Sequence, residues 1–222
     1  MNSLQHNGRD LDFPRKDGIV PYKARGFSLV ELMVVVAIAM IVAGITFISL
    51  QPLLRHAHVA QAYNTTLMAL RNYRSQAITQ RRRYKVQFTA PGLITVWYLG
   101  VAVPVNPAPV VVQTLTLPPD VQFAVQAGMP NTAATVPDGF GIGGTAIDFD
   151  QGVGLGSQDY VMFMPDGSSQ DTVGNLNSGV VYLGMLGDIS SMRAVSVFGS
   201  TGRMRGWRLD QLPAGGSQWS QQ

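Results

Sequence analysis

Side chains able to do acid–base or metal chemistry are scarce in this sequence. It contains no cysteine and only three histidines, His6, His56 and His58. Without cysteine the chain has no disulfide, no thiol nucleophile and no thiolate metal ligand. His56 and His58 lie two residues apart on a predicted helix, so their side chains diverge and cannot chelate one ion together. We therefore expect no catalytic residue, no metal site and no cofactor, and we do not expect an enzyme.

Two short motifs resemble ligand-binding loops but lack the usual surroundings. Residues 139–144 match G-x-G-x-x-G, yet no helix is predicted to follow them, which argues against a dinucleotide site. Residues 148–152 begin like a calcium-binding loop but lack its later oxygen ligands. Serine is plentiful, but the predicted β region contains no histidine to activate it.

An arginine-rich segment near the C-terminus is the remaining candidate site. Arg203 and Arg205 alternate on a predicted strand, and Trp207 and Arg208 follow them. Alternation places Arg203 and Arg205 on one face, where guanidinium groups could contact phosphates while Trp207 stacks on a base. The alternative is a solvated strand face with no ligand.

One long apolar segment contains a single charged side chain. Residues 27–50 contain Glu31 as their only charged side chain. As a helix this segment is about 36 Å long, enough to cross a hydrocarbon layer of about 30 Å. A buried core helix rarely lacks a polar face over six turns, so the pattern favours a membrane span.

The residues around the apolar segment set its orientation. Residues 1–26 carry a net charge of +2, and the two charges nearest the span, Lys23 and Arg25, are basic. This charge places the N-terminus in the cytoplasm and the bulk of the chain on the other side. A secretory signal peptide has a similar form, but this segment is too long and no small-x-small site closes it.

The start of the apolar segment resembles a type IV prepilin signal. The matching residues are Lys-Ala-Arg-Gly-Phe-Ser-Leu-Val-Glu-Leu at positions 23–32. The resemblance implies that a prepilin peptidase cuts between Gly26 and Phe27 and methylates the new amine of Phe27. It also implies that residues 1–26 are a leader and that Glu31 becomes the fifth residue of the mature chain.

Glu31 then has a physical reason to lie in an apolar helix. A carboxylate there costs a few kcal/mol unless it is paired. Cleavage creates a positive amine on Phe27, and in a helical assembly the amine of one subunit can lie beside Glu31 of another. We expect this salt bridge to guide assembly with other pilins or pseudopilins in a filament.

The rest of the sequence predicts an α+β fold. Apolar residues continue at intervals of three or four from Leu53 to Ala77, which predicts an amphipathic helix that packs on a following domain. From Tyr84 the period changes to two, and Gly, Pro and Asp separate short β segments. The predicted parts are a leader at 1–26, a transmembrane helix at 27–50, its amphipathic continuation at 51–83, and an antiparallel β-sheet head at 84–222.

Charge is separated along the chain. Residues 51–85 hold seven basic and no acidic side chains, whereas residues 86–192 hold eight aspartates and no base. Residues 193–222 return to a net charge of +3. The basic helix could neutralise its own acidic head, or complementary surfaces could join neighbouring subunits or attract an acidic partner.

The C-terminal strands resemble those of the GspH/FimT group of minor pseudopilins. The similar segments are residues 161–169, 178–183, 193–197 and 202–205. GspH-like members imply a structural subunit of a type II secretion pseudopilus, with secreted proteins as cargo. Some FimT-like members imply a type IV pilus subunit that binds DNA through Gly-Arg-x-Arg, which here is 202–205.

The resulting functional prediction has two forms. The first is a minor pseudopilin in the bacterial inner membrane, in contact with its lipid, with a periplasmic head that contributes to filament assembly and protein secretion. The alternative is a minor pilin that binds DNA for uptake, with Arg203, Arg205, Trp207 and Arg208 as its contacts.

Overall fold

The computed structural model describes residues 26–100, 108–141, 144–151, 158–213 and 215–222. The chain divides into two compact units, Met1–Phe47 and Ile48–Gln222. One helix, α1, covers Leu29–Gln80, and all regular strands follow it. The predicted α+β order, one long N-terminal helix followed by an antiparallel head, is confirmed.

The first unit contributes the apolar part of α1. The window Leu29–Thr46 has a mean hydropathy of 2.6, and none of it is buried within the chain. By length and composition this stretch is sufficient to cross a membrane. The hydroxyl of Thr46 donates to the carbonyl of Val42 at 2.8 Å, which satisfies this polar group inside the helix.

In the second unit α1 ends in a recognisable cap. Arg81 has a φ of 53° and follows the last helical residue. The amide of Arg82 donates to the carbonyl of Ala77 at 3.1 Å, and that of Arg81 donates to Ile78 at 3.3 Å. This pair of bonds is a Schellman motif. The helix therefore ends at Gln80, and the first strand begins at Arg83 instead of Tyr84.

Eleven strands are described after the helix. Their bounds are β1 Arg83–Thr89, β2 Leu93–Gly100, β3 Val110–Thr116, β4 Gln122–Phe123, β5 Ile147–Gln151, β6 Tyr160–Phe163, β7 Ser169–Gln170, β8 Ser178–Gly184, β9 Arg193–Phe198, β10 Arg203–Gln211 and β11 Ser217–Gln221. One sheet has the order β3-β2-β1-β6-β7. The other has the order β11-β10-β9-β8-β4, with β5 also paired to β8, and all pairs are antiparallel.

The main core lies between α1 and both sheets. The helix contributes Val59, Ala62, Leu70, Tyr73 and Ala77, which are three, four or eight residues apart, lie on one face of the helix and are at most 5% exposed. Strand residues from both sheets complete the same cluster. The buried face of the helix and residues of both sheets therefore form one hydrophobic core.

A second core covers the opposite face of the sheet that contains β10. Met129, Tyr182, Met192, Leu209 and Trp219 are its largest buried side chains. Residues 126–141 lie over this core, to which they contribute Met129 and Phe140. They include a short 3₁₀ turn at Pro137–Gly139 and the buried Val136. β10 is thus packed on both faces.

Candidate functional site

The predicted cleavage site lies immediately before α1. Gly26 and Phe27 precede the helix, and Phe27 is 79% exposed. A methyl group placed on Gly26 would meet no atom within 4 Å. Glu31 is exposed in the first turn of the helix, where the positive end of the helix dipole favours a carboxylate. The peptide bond and the carboxylate are therefore both open to partners.

The strand β10 does not present the four predicted contact residues on one surface. Side chains alternate along it, so Arg203, Arg205 and Trp207 share one face and Arg208 lies on the other. The Arg208 face is turned towards α1, because a side chain added at Gly206 would lie 1.5 Å from the Tyr63 hydroxyl. Arg208 forms an exposed ion pair with Asp210, with 3.1 Å between Nε and Oδ1.

Arg205 is neutralised within the head. Its Nη1 forms an ion pair with Asp138, whose side chain is only 3% exposed. Asp138 also accepts from the hydroxyl of Ser196, and Trp207 donates its indole N–H to that hydroxyl at 3.0 Å. Arg205 and Trp207 are therefore fixed by a network with the loop that covers the second core.

Arg203 instead lines a groove together with two residues of the helix. With Arg71 and Arg74 of α1 and the turn at residues 198–202, it lines a groove of about 700 Å³. Its guanidinium lies 5.2 Å from the centre of the Phe198 ring, within cation–π range. Arg74 is held by the turns, since it donates to the carbonyls of Gly167 at 3.1 Å and Thr201 at 2.8 Å.

Arg71 and Arg74 were not predicted to lie near this strand. Their spacing of three residues places them on neighbouring positions of one helix surface. That spacing predicts that Arg71 and Arg74 lie close together on the helix. It does not predict that this part of the helix packs against the turn after β9. The arrangement can attract an anion, because no carboxylate is among the groove residues.

The described residues give no metal centre. No group of three potential ligand side chains is found in the described ranges. The G-x-G-x-x-G segment lies partly outside the described residues, at positions 142 and 143. Of the calcium-like segment, Asp148 is 3% exposed and lies on β5, while Gly152 is outside the described residues.

The comparison with protein families bears on the N-terminal segment. A profile for the prokaryotic N-terminal methylation motif matches residues 22–47. This segment is similar to the prokaryotic N-terminal methylation motif. The methylation motif contains the predicted cleavage site, Phe27 and Glu31, and the resemblance of this segment to type IV pilin-like proteins is confirmed.

The chain was also compared with curated proteins and with solved structures. No curated protein matches the chain. Among solved structures, the chain is similar to the type IV minor pilin FimU of Pseudomonas aeruginosa, with 12% identity and a TM-score of 0.37. That similarity covers 70% of this chain and 89% of FimU.

Proposed function

We propose that this chain is a structural subunit of a type IV pilin-like filament, anchored in the bacterial inner membrane before assembly. The observation that carries the proposal is the methylation motif at residues 22–47, joined to an apolar helix without a break. In this role prepilin peptidase cleaves after Gly26 and methylates Phe27. The N-terminus faces the cytoplasm and the β head faces the periplasm.

Glu31 acts in assembly rather than in processing. It lies four residues after the new N-terminus, within the first helical turn. In a layer of low dielectric constant, an unpaired carboxylate is strongly disfavoured, and an amine from a neighbouring subunit relieves that cost. The pair also fixes how far one helix is displaced along the next.

Among such filaments we favour a type II secretion pseudopilus with a role in protein secretion. The resemblance of the C-terminal strands to GspH-like pseudopilins supports this assignment, with secreted proteins as cargo. The state of Arg205 also supports it over DNA binding. A nucleic-acid surface needs guanidinium groups that are free to contact phosphates, whereas Arg205 is paired with the buried Asp138.

The assembly role is tested by substituting Glu31 in the full-length chain. Glu31→Ala is expected to be cleaved and methylated normally but to be lost from the sheared filament fraction. Glu31→Asp keeps the charge and is expected to retain part of the incorporation. Normal incorporation of Glu31→Ala would contradict the role of this residue.

The DNA-binding alternative is tested separately by mobility shift with the detergent-solubilised full chain. We expect the native chain and the Arg203→Gln/Arg205→Gln variant to bind DNA equally weakly. Binding by the native chain that weakens with salt and that this variant loses would favour the alternative. A host strain without this chain gives an independent test, since it should retain exoproteins while DNA uptake is unchanged.

A further inference from the structure

The head carries opposite charges at its two ends. Arg74 joins the turn after β6 to the turn after β9, by donating to the carbonyls of Gly167 and Thr201. These turns, with Arg71, Arg74 and Arg203, form what we term the basic end. It is the end at which α1 finishes, since Tyr84 at the start of β1 bonds to Gln80.

The register of the strands places carboxylates at the other end. β6 runs antiparallel to β1, with Gln87 opposite Tyr160 and Tyr84 opposite Phe163. Asp159 therefore lies beyond the start of β6, while the basic end lies beyond its finish. The four residues of β6 span about 13 Å at 3.3 Å per residue.

Asp120 accompanies Asp159 at this acidic end. The carbonyl of Asp159 accepts from the amide of Phe88 at 2.8 Å, beside the β1–β2 turn. The segment that contains Asp120 bonds to the same turn through Leu117, whose amide donates to Gly92 at 2.8 Å. His58 contacts the Asp120 carboxylate at 2.9 Å. The exposed Asp159 carboxylate accepts a neutral hydrogen bond from Gln87, and no ion pair of Asp159 is found among the described residues.

The charges of the basic end are not compensated locally. Among the described residues, neither Arg71 nor Arg203 forms an ion pair with a carboxylate. Asp166, in the turn after β6, directs its carboxylate to the amide and hydroxyl of Ser168 at 2.8 and 2.6 Å. Arg71, Arg74 and Arg203 therefore line a groove of about 700 Å³ whose described lining residues include no acid.

We propose that the basic end of one head binds the acidic end of a second copy of this chain. In this contact, the groove of Arg71, Arg74 and Arg203 receives the β1–β2 turn with Asp159 and Asp120. Because two different surfaces meet, the contact is heterologous and repeats in a line instead of closing a dimer. The proposal rests on the proposed function as a filament subunit and adds the polarity with which heads stack.

The absence of native cysteine permits a direct crosslinking test in the full-length chain. Ser200→Cys labels the basic end and Thr89→Cys labels the acidic end, and both positions are exposed. In detergent and in filaments, we expect a mixture of the two single variants to form crosslinked dimers. Each single variant alone should remain uncrosslinked, and a chain with both cysteines should form a ladder of multimers.

Charge reversal identifies the groups responsible. Arg203→Glu and Asp159→Arg should each remove the ladder of the doubly labelled chain, and the two together should restore it. Arg203→Lys is the matched control, which keeps the charge and should keep the ladder. High salt should weaken the contact, since exposed charges are screened.

Three results would overturn the proposal. They are crosslinking of Ser200→Cys with itself, a ladder that charge reversal leaves unchanged, or protection of Ser200→Cys by a DNA duplex with no ladder in filaments. Failure of the proposed function is distinguishable, because an unprocessed chain would be absent from the filament fraction altogether. A processed and incorporated chain without the ladder would contradict the stacking alone.

Discussion

Arg205 forms an ion pair with Asp138, across the space between β10 and the loop that covers the second core. The carboxyl side chain is 3% exposed and the guanidinium is 31% exposed, so the pair lies at the edge of the packed region. Asp138 itself has a φ of 54°, which a non-glycine residue adopts rarely. An arginine of the Gly-Arg-x-Arg segment, Arg205, therefore contributes to the stability of the head through this pair.

Removal of the carboxylate should destabilise the head. Asp138→Asn leaves the partly buried Arg205 without its counterion and weakens the bond from Ser196. We expect a loss of about 2 kcal/mol in the free energy of unfolding. Thermal denaturation of the full chain in detergent measures it. Asp210→Asn, which removes an exposed ion pair with Arg208, is the control and should cost at most about 1 kcal/mol.

Packing requires a glycine at position 202, independently of the Gly-Arg-x-Arg motif to which Gly202 belongs. It has a φ of 59°, and an added Cβ would lie 2.2 Å from the carbonyl of Gly167. Gly202→Ala should therefore cost about 2 to 4 kcal/mol through backbone strain and a clash. Gly187 has a φ of 81° with no atom within 4 Å. Gly187→Ala isolates the strain and should cost about 1 kcal/mol. Equal losses in the two variants would contradict the packing argument.

Asp171 should make the head sensitive to acid. Burial alone would raise its pKa, but hydrogen bonds from Asn175, Val173 and Gly174 outweigh it, so the pKa lies below its ordinary value. A carboxyl with a lowered folded pKa stabilises the head above its unfolded pKa, and this stability is lost as pH falls through the folded pKa. The loss should begin near pH 3.9 and continue below it.

Substitution of Asp171 tests this dependence. Asp171→Asn should lower the free energy of unfolding by about 1 to 2 kcal/mol at pH 7. It should also flatten the decline of stability below pH 4. Asp159→Asn is the matched control, because Asp159 is exposed and its carboxylate accepts a side-chain hydrogen bond from Gln87. Denaturation of the full chain at several pH values would contradict the assignment if both variants followed the same curve.

Cleavage should depend on the small residue at position 26. Prepilin peptidase must reach the bond between Gly26 and Phe27, which precedes the helix. Gly26→Val should therefore leave the chain at its precursor mass on an immunoblot of membranes. Ser28→Ala, two residues away, is expected to be processed. Precursor accumulation by both variants would indicate a general defect in insertion.

Much of the fold could be predicted because it depends on local patterns. The period-two segments from Tyr84 to Tyr98 correspond to the hairpin of β1 and β2. The strand β11 was missed because Ser217–Gln221 has only Trp219 as a buried apolar residue. Part of the helix stripe was also misplaced. Ala57 and Ala60 fit the predicted spacing between Leu53 and Ala77 but are exposed, whereas Val59 and Ala62 are buried.

The candidate site was less predictable, because its electrostatics depend on distant residues. Arg203 and Arg205 lie on the same face of β10, as their alternation predicts. Asp138 pairs with Arg205 from 67 positions away, and Arg71 and Arg74 line the same groove as Arg203. No short-range pattern encodes which arginine is neutralised. The methylation motif could be recognised because cleavage acts on consecutive residues.

The central claim is that the chain is processed as a pilin-type subunit. It is tested most directly by mass spectrometry of the N-terminal peptide of the chain purified from membranes of its native host. We predict a peptide that begins at Phe27 and carries one methyl group on its α-amine. A mature chain that begins elsewhere, or a Phe27 still joined to Gly26 in most molecules, would contradict it.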